Sequence, residues 1–70
     1  MENINSVLLK AKKYLINNSI KSANIDSEIL MCSVLKKSRE HLIINILDKI
    51  EDDKINFFNE LVERRKKNEP

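Results

Sequence analysis

Glycine is absent from this sequence, and proline and cysteine each occur once among its 70 residues. Together with 41% hydrophobic and 34% charged residues, this composition is typical of helices joined by short connections and disfavours extended sheet. The lone Cys32 cannot form an internal disulfide. Its position inside an apolar run predicts a small buried side chain in a reducing compartment.

Long apolar runs are also missing, and the N-terminus lacks a cationic region followed by an apolar core. These absences predict a cytoplasmic protein that does not contact a membrane. Seventy residues form at most one small domain, with no room for an enclosed active site and its supporting side chains. We therefore expect residues 1–70 to be a single domain without catalytic residues.

The stretch from residue 22 to 37 is the one around which we expect the chain to fold. Its apolar residues cover most of the circumference of a helix, whereas a surface helix keeps them on one stripe. We therefore predict a central helix over residues 23–36, capped by Ser22 and covered by neighbours on several sides. The apolar residues concerned are Ile25, Ile29, Leu30, Met31, Cys32, Val34 and Leu35.

Three flanking helices follow from the same kind of pattern. Asn3 or Asn5 can cap a first amphipathic helix that ends at residues 17–19, where an asparagine can adopt the left-handed conformation. Ser38 can cap a short third helix, and the acidic residues 51–53 mark the start of a fourth. The sequence thus predicts an all-α bundle of four to five helices around the central buried helix. The expected core residues of the flanking helices are Ile4, Val7, Leu8, Ala11, Tyr14, Leu15, Leu42, Ile43, Ile46, Leu47, Ile55, Phe58, Leu61 and Val62.

The polar residues suggest no chemistry of their own. His41 has no second histidine at three or four residues' distance, so we expect no metal site. The basic run 64–67 fits a solvated helix end, a docking surface for an acidic partner or neighbouring domain, or a nucleic-acid contact. A net charge of +2 permits a nucleic-acid partner without indicating one, and no aromatic residues interleave the cations to stack bases.

Two segments resemble one known family. Residues 26–31, Asp-Ser-Glu-Ile-Leu-Met, are similar to an Asp-Ala-Glu-hydrophobic-Leu-Leu segment in the N-terminal domain of HemK-type (PrmC) release-factor glutamine methyltransferases. Residues 61–70, Leu-Val-Glu-Arg-Arg-Lys-Lys-Asn-Glu-Pro, are similar to the Leu-Leu-x-Arg-Arg-x-x-Gly-Glu-Pro stretch that leads into that family's catalytic part. The number of residues between the two segments also matches the spacing in that family. Ser27 replaces the usual alanine, and Asn68 stands where glycine is common.

The resemblance implies a parent enzyme that methylates the glutamine of the Gly-Gly-Gln motif in peptide-chain release factors, using S-adenosylmethionine. The family's glycine-bearing cofactor loop and its Asn-Pro-Pro-Tyr motif are not in this sequence, so no catalytic or cofactor residue is assigned here. The implied partners are the release factor and the parent's own C-terminal catalytic domain, with Arg64, Arg65, Glu69 and Pro70 as candidate contacts. We expect a monomer. A stand-alone protein-interaction bundle and a small nucleic-acid binder remain the alternatives.

Overall fold

The computed structural model describes residues 2–67, in which four helices are joined by short connections. Helix α1 spans Ile4–Asn17, α2 spans Ala23–Leu35, α3 spans Arg39–Ile44 and α4 spans Asp52–Lys67. Helix α2 packs against each of the other three, and α1 also contacts α4. This arrangement confirms the predicted all-α bundle with α2 at its centre.

Helix α1 forms as its amphipathic pattern predicts. The Asn3 side chain accepts a hydrogen bond of 2.8 Å from the Ser6 amide, which pairs one of the free N–H groups at the helix start. The face that points into the bundle carries the predicted apolar residues, and Tyr14 at its edge is partly buried. The buried residues of α1 are Ile4, Val7, Leu8, Ala11 and Leu15.

The turn after α1 is a Schellman motif built without glycine. The Ile20 amide donates to the Leu15 carbonyl (2.9 Å), and the Ser19 amide donates to the Ile16 carbonyl (3.0 Å). The left-handed residue is Ser19, with φ of 66°, so the prediction of an asparagine there was wrong. Asn18 instead donates its side-chain amide to the Tyr14 carbonyl at 2.8 Å. The left-handed turn is made by the next residue, Ser19.

Replacing Ser19 by glycine is expected to raise the free energy of unfolding by about 1 kcal/mol, because glycine adopts positive φ without a steric penalty. Urea denaturation followed by circular dichroism measures the change. The matched control is Ser33→Gly on the exposed side of α2, where glycine should lower stability by about 0.5 kcal/mol. An equal loss of stability in both variants would contradict the left-handed assignment of Ser19.

Helix α2 presents one stripe to the core. Ala23, Ser27, Met31 and Val34 are buried, at a spacing that places them on a single face of the helix. The fully buried Ser27 hydroxyl donates a 3.0 Å hydrogen bond to the Asn24 carbonyl, so it leaves no unpaired polar group in the core. This bond explains how serine is accommodated where the family usually has alanine.

The opposite face of α2 differs from the prediction. Neighbouring helices cover α2 on several sides, as predicted, but Ile25 and Ile29 are 58% and 60% exposed, so their expected burial was wrong. Ser22 lies at the N-cap position but makes no capping bond, because its hydroxyl donates to Asp26 Oδ2 at 2.7 Å. The helix ends at Leu35, and Lys36 adopts the left-handed conformation with φ of 57°.

Helix α3 is short and only lightly anchored. Ser38 caps it as predicted, accepting a 3.2 Å hydrogen bond from the His41 amide. Of its predicted core residues, Leu42 is buried, whereas Ile43 is exposed. Adjacent residues of a helix point in directions about 100° apart, so Ile43 faces outward when Leu42 faces the bundle, and the expected wider contact was wrong. Ile46 and Leu47 lie beyond the helix, the first partly buried and the second exposed.

The connection between α3 and α4 packs against the start of α1. The Ile4 amide donates to the Asp48 carbonyl and the Asn5 amide to the Ile46 carbonyl, both at 2.9 Å. Asn3 and Lys49 form an antiparallel bridge, and the Ile50 side chain is buried in the core. These bonds fix the loop in place, because they pair backbone groups that a helix terminus leaves free.

Helix α4 closes the bundle along α1 and α2. Phe58 and Val62 are buried, Ile55 and Leu61 are partly buried, and Phe57 is half exposed. Acidic residues occupy the first turn and four basic residues the last turn, which places both charge types favourably along the helix dipole.

Candidate protein-docking surface

An open groove of about 360 Å³ runs between α2 and α3. Its floor is apolar because α2 has a second hydrophobic face, opposite the stripe that packs in the core. Ile25, Ile29 and Cys32 lie at i, i+4 and i+7 and therefore form one row along that face. The lining residues are Ile25, Glu28, Ile29, Cys32, Lys37, Ser38 and Arg39.

Glu28 ties three helices together at the edge of this groove. Lys12 Nζ of α1 lies 3.6 Å from its Oε2, and Arg39 Nη2 of α3 lies 2.9 Å from its Oε1. The second contact is an ion pair without an aligned hydrogen bond, so the shielded Oε1 is balanced by charge alone. The one anion that lines the groove is thus compensated by two cations.

Cys32 is partly buried and contributes its thiol to the groove wall. This position corrects the expectation of a buried cysteine: the side chain packs against the core on one side and faces the groove on the other. Burial, and then the negative charge of Glu28, raises the pKa of the Cys32 thiol. A thiol held in its neutral form acts as an apolar lining group, since the thiolate is the reactive form.

Two of the predicted contact residues, Arg64 and Arg65, lie in the last turn of α4. Arg64 is exposed, whereas Arg65 Nε donates to Asp26 Oδ2 at 2.8 Å and so joins the end of α4 to the first turns of α2. A hydrogen bond from Ser22, together with the bond and charge of Arg65, lowers the pKa of Asp26 and keeps it ionised. The other two candidates, Glu69 and Pro70, lie outside the described residues.

A second groove, of about 390 Å³, lies between α1 and α4. The Tyr14 hydroxyl donates to the Glu63 carboxylate across it, and this bond lowers the pKa of Glu63. Lys66 Nζ lies 3.7 Å from Glu63 and 5.6 Å from the centre of the Tyr14 ring. These contacts connect α1 to α4 and pair Tyr14 with Glu63 across the groove.

Among residues 2–67, no three histidine, cysteine, aspartate or glutamate side chains converge as metal ligands, and His41 is exposed on α3. None of the helices described has the length and apolarity needed to cross a membrane. The α2–α3 groove was missed from the sequence, although the row at positions 25, 29 and 32 was a signal for it.

Comparison with known proteins bears out the resemblance. Residues 6–70 match the family described as the PrmC N-terminal domain. The chain is 37% identical over 67 residues to a protein from Rickettsia felis named bifunctional methyltransferase, an alignment that covers 96% of this chain and 13% of that relative. No solved structure gives a significant match. Since the family match takes in almost all of the sequence, the chain belongs to the PrmC N-terminal domain family.

Proposed function

We propose that this chain is the substrate-recognition domain of a methyltransferase that modifies the glutamine of the Gly-Gly-Gln motif in peptide-chain release factors. The observation that carries the proposal is the family match over residues 6–70. The name of the Rickettsia felis relative supports methyl transfer as the activity of the parent protein. The chain spans 13% of that relative, so the chemistry would belong to a catalytic domain outside this sequence.

The parent enzyme would use S-adenosylmethionine as methyl donor and work in the cytoplasm, where release factors act. The family's cofactor loop contains glycine, and this sequence has none, so these residues do not fit the cofactor. The task left to this domain is binding and orientation. Holding the release factor so that its glutamine meets the catalytic domain would lower the entropic part of the reaction barrier.

The structure offers surfaces suited to such a task. The α2–α3 groove exposes Ile25 and Ile29 beside two cationic side chains, and Arg64 projects from α4. Cations elsewhere are paired within the domain, among them Arg65 with Asp26 and Lys66 with Glu63. This internal pairing reduces the charge available to a nucleic-acid backbone and favours a protein partner.

A chemical-shift titration of the ¹⁵N-labelled chain distinguishes the proposal from its alternatives. Addition of release factor should produce saturable shifts, whereas duplex DNA at physiological ionic strength should produce none. Salt-sensitive shifts with DNA alone would instead identify a nucleic-acid binder. The absence of shifts with release factor and DNA alike would favour an interaction bundle with another partner.

The two arginines of α4 are expected to have separable effects. In the full-length enzyme, Arg65→Ala should lower the free energy of unfolding by about 1 kcal/mol, because it removes the bond to Asp26. Arg64→Ala should leave stability unchanged and weaken binding to release factor by about threefold to tenfold, as expected for an exposed cation at an interface. Thermal unfolding and calorimetric titration measure the two effects. Unchanged stability and unchanged affinity in the double variant would reject a role for this pair.

A further inference from the structure

We propose that the α2–α3 groove binds an amphipathic helix of the protein substrate, one that places apolar side chains on Ile25 and Ile29 and acidic side chains against Lys37 and Arg39. The inference rests on the proposed function, because it names the part of the substrate that this domain would recognise. It adds the location of the contact and the chemistry of the bound segment.

The outer face of α2 carries an apolar row. Ile25 and Ile29 are 58% and 60% exposed one helical turn apart, and Cys32 continues the row by another turn. A row at i, i+4 and i+7 has the spacing with which one helix receives the apolar side chains of another. Ile25 and Ile29 are not part of the core, since the buried stripe of α2 lies on the opposite side.

The groove suits a helix better than an extended strand. Its floor is the body of α2, where backbone groups are paired within the helix, and α3 contributes only its first residue, Arg39, to the lining. A strand laid on this floor would leave its own amides and carbonyls without partners. A helix arrives with those groups already satisfied and needs only side-chain contacts, which is the helix-in-groove mode of recognition.

Positively charged side chains line one end of the groove. Lys37 and Arg39 lie at the α2–α3 corner and line one end of the groove. Glu28, the single acidic lining residue, is balanced by Lys12 and by Arg39 itself, whose side chain is still 67% exposed. The rim therefore presents net positive charge, and acidic residues on the bound helix would complement it.

The position of the groove also fits a role in substrate orientation. Asp26, which follows the groove residue Ile25, accepts the hydrogen bond from Arg65 near the end of α4. The end of α4, from which residues 68–70 continue the sequence, therefore lies beside one end of the groove. Under the proposed function, a helix bound there would be held near the end of α4, which the resemblance places before the catalytic part of the parent enzyme.

Two groove variants and two matched controls test the inference by titrating purified release factor into the chain. Ile29→Glu should weaken binding at least tenfold, because it places a charge on the apolar floor. Lys37→Glu should weaken it about threefold to tenfold and reduce its salt dependence. Ile16→Glu and Lys13→Glu change exposed residues of the same types on α1 and should alter affinity by less than about twofold. Circular dichroism confirms that each variant is folded, and Ile29→Ala serves in place of Ile29→Glu if the latter is not.

The possible results separate the inference from the function on which it rests. Selective loss of affinity in the groove variants supports the inference. Binding to the groove variants at wild-type strength would overturn the groove inference and leave release-factor recognition intact. Equal losses in the groove and α1 variants would also overturn it. If the unmodified chain fails to bind release factor, the proposed function fails and the inference fails with it.

Discussion

Replacing Phe58 by alanine is expected to lower the free energy of unfolding by about 3–5 kcal/mol. Phe58 is fully buried in α4 and is among the largest side chains enclosed by the bundle. Its removal loses the transfer free energy of the ring and leaves a cavity that the surrounding helices can fill only in part. A single core of this size supplies roughly 3–5 kcal/mol of net stability, so the variant should be largely unfolded at 25 °C. Urea denaturation followed by circular dichroism measures the loss.

The neighbouring phenylalanine provides the control for this experiment. Phe57 is 50% exposed, and its replacement by alanine should cost no more than about 1 kcal/mol. The two variants change the same residue type at adjacent positions of one helix, so propensity effects cancel in the comparison. Equal losses of stability would contradict an α4 orientation that buries Phe58 and exposes Phe57.

Replacing Met31 by alanine should cost about 2–5 kcal/mol for the same physical reason. Met31 is fully buried at the middle of α2, where the helix packs against the rest of the bundle. The effect should appear as a lower urea midpoint with an unchanged slope, since the fold and its exposed area on unfolding stay the same.

Ile29→Ala is the matched change on the other face of α2. Its side chain is 60% exposed, and alanine is the better helix former, so stability should change by less than about 1 kcal/mol. A loss as large as that of Met31→Ala would mean that neighbours cover both faces of α2. The groove would then not exist as an open surface.

Much of the fold could be predicted because several local signals agree with the tertiary structure. Helix α1 has a single apolar stripe and a short polar residue before it, and it begins at the residue after Asn3. Ser38 caps α3, and the charge order of α4 follows the helix dipole. Each of these features depends on residues close together in the chain, which is what sequence patterns report.

The features that were missed depend on contacts between distant residues. The apolar circumference of α2 fits a helix covered on all sides, and it fits equally a helix with one core face and one docking face. Only the packed structure shows that Ile25 and Ile29 lie on an exposed face of α2. The pairing of Arg65 with Asp26 joins positions 39 residues apart, so the basic run of α4 gave no indication of it.

The sequence indicated the basic residues of α4 as candidate contacts, but it did not indicate the α2–α3 groove. Arg64 and Arg65 stood out because four basic residues are consecutive, and a role for them at an interface stays a prediction. The α2–α3 groove is formed jointly by two helices and the corner between them. A pattern read along one helix therefore could not show its shape.

We infer that α2 has two functional faces, one that holds the bundle together and one that receives the substrate protein. The most direct test uses the chain labelled at its isoleucine methyl groups, observed by NMR while unlabelled release factor is added. The account predicts that the signals of Ile25 and Ile29 shift or broaden, whereas those of the exposed Ile16 and the buried Ile4 remain in place. Perturbation of Ile16 with no change at Ile25 and Ile29 would contradict it.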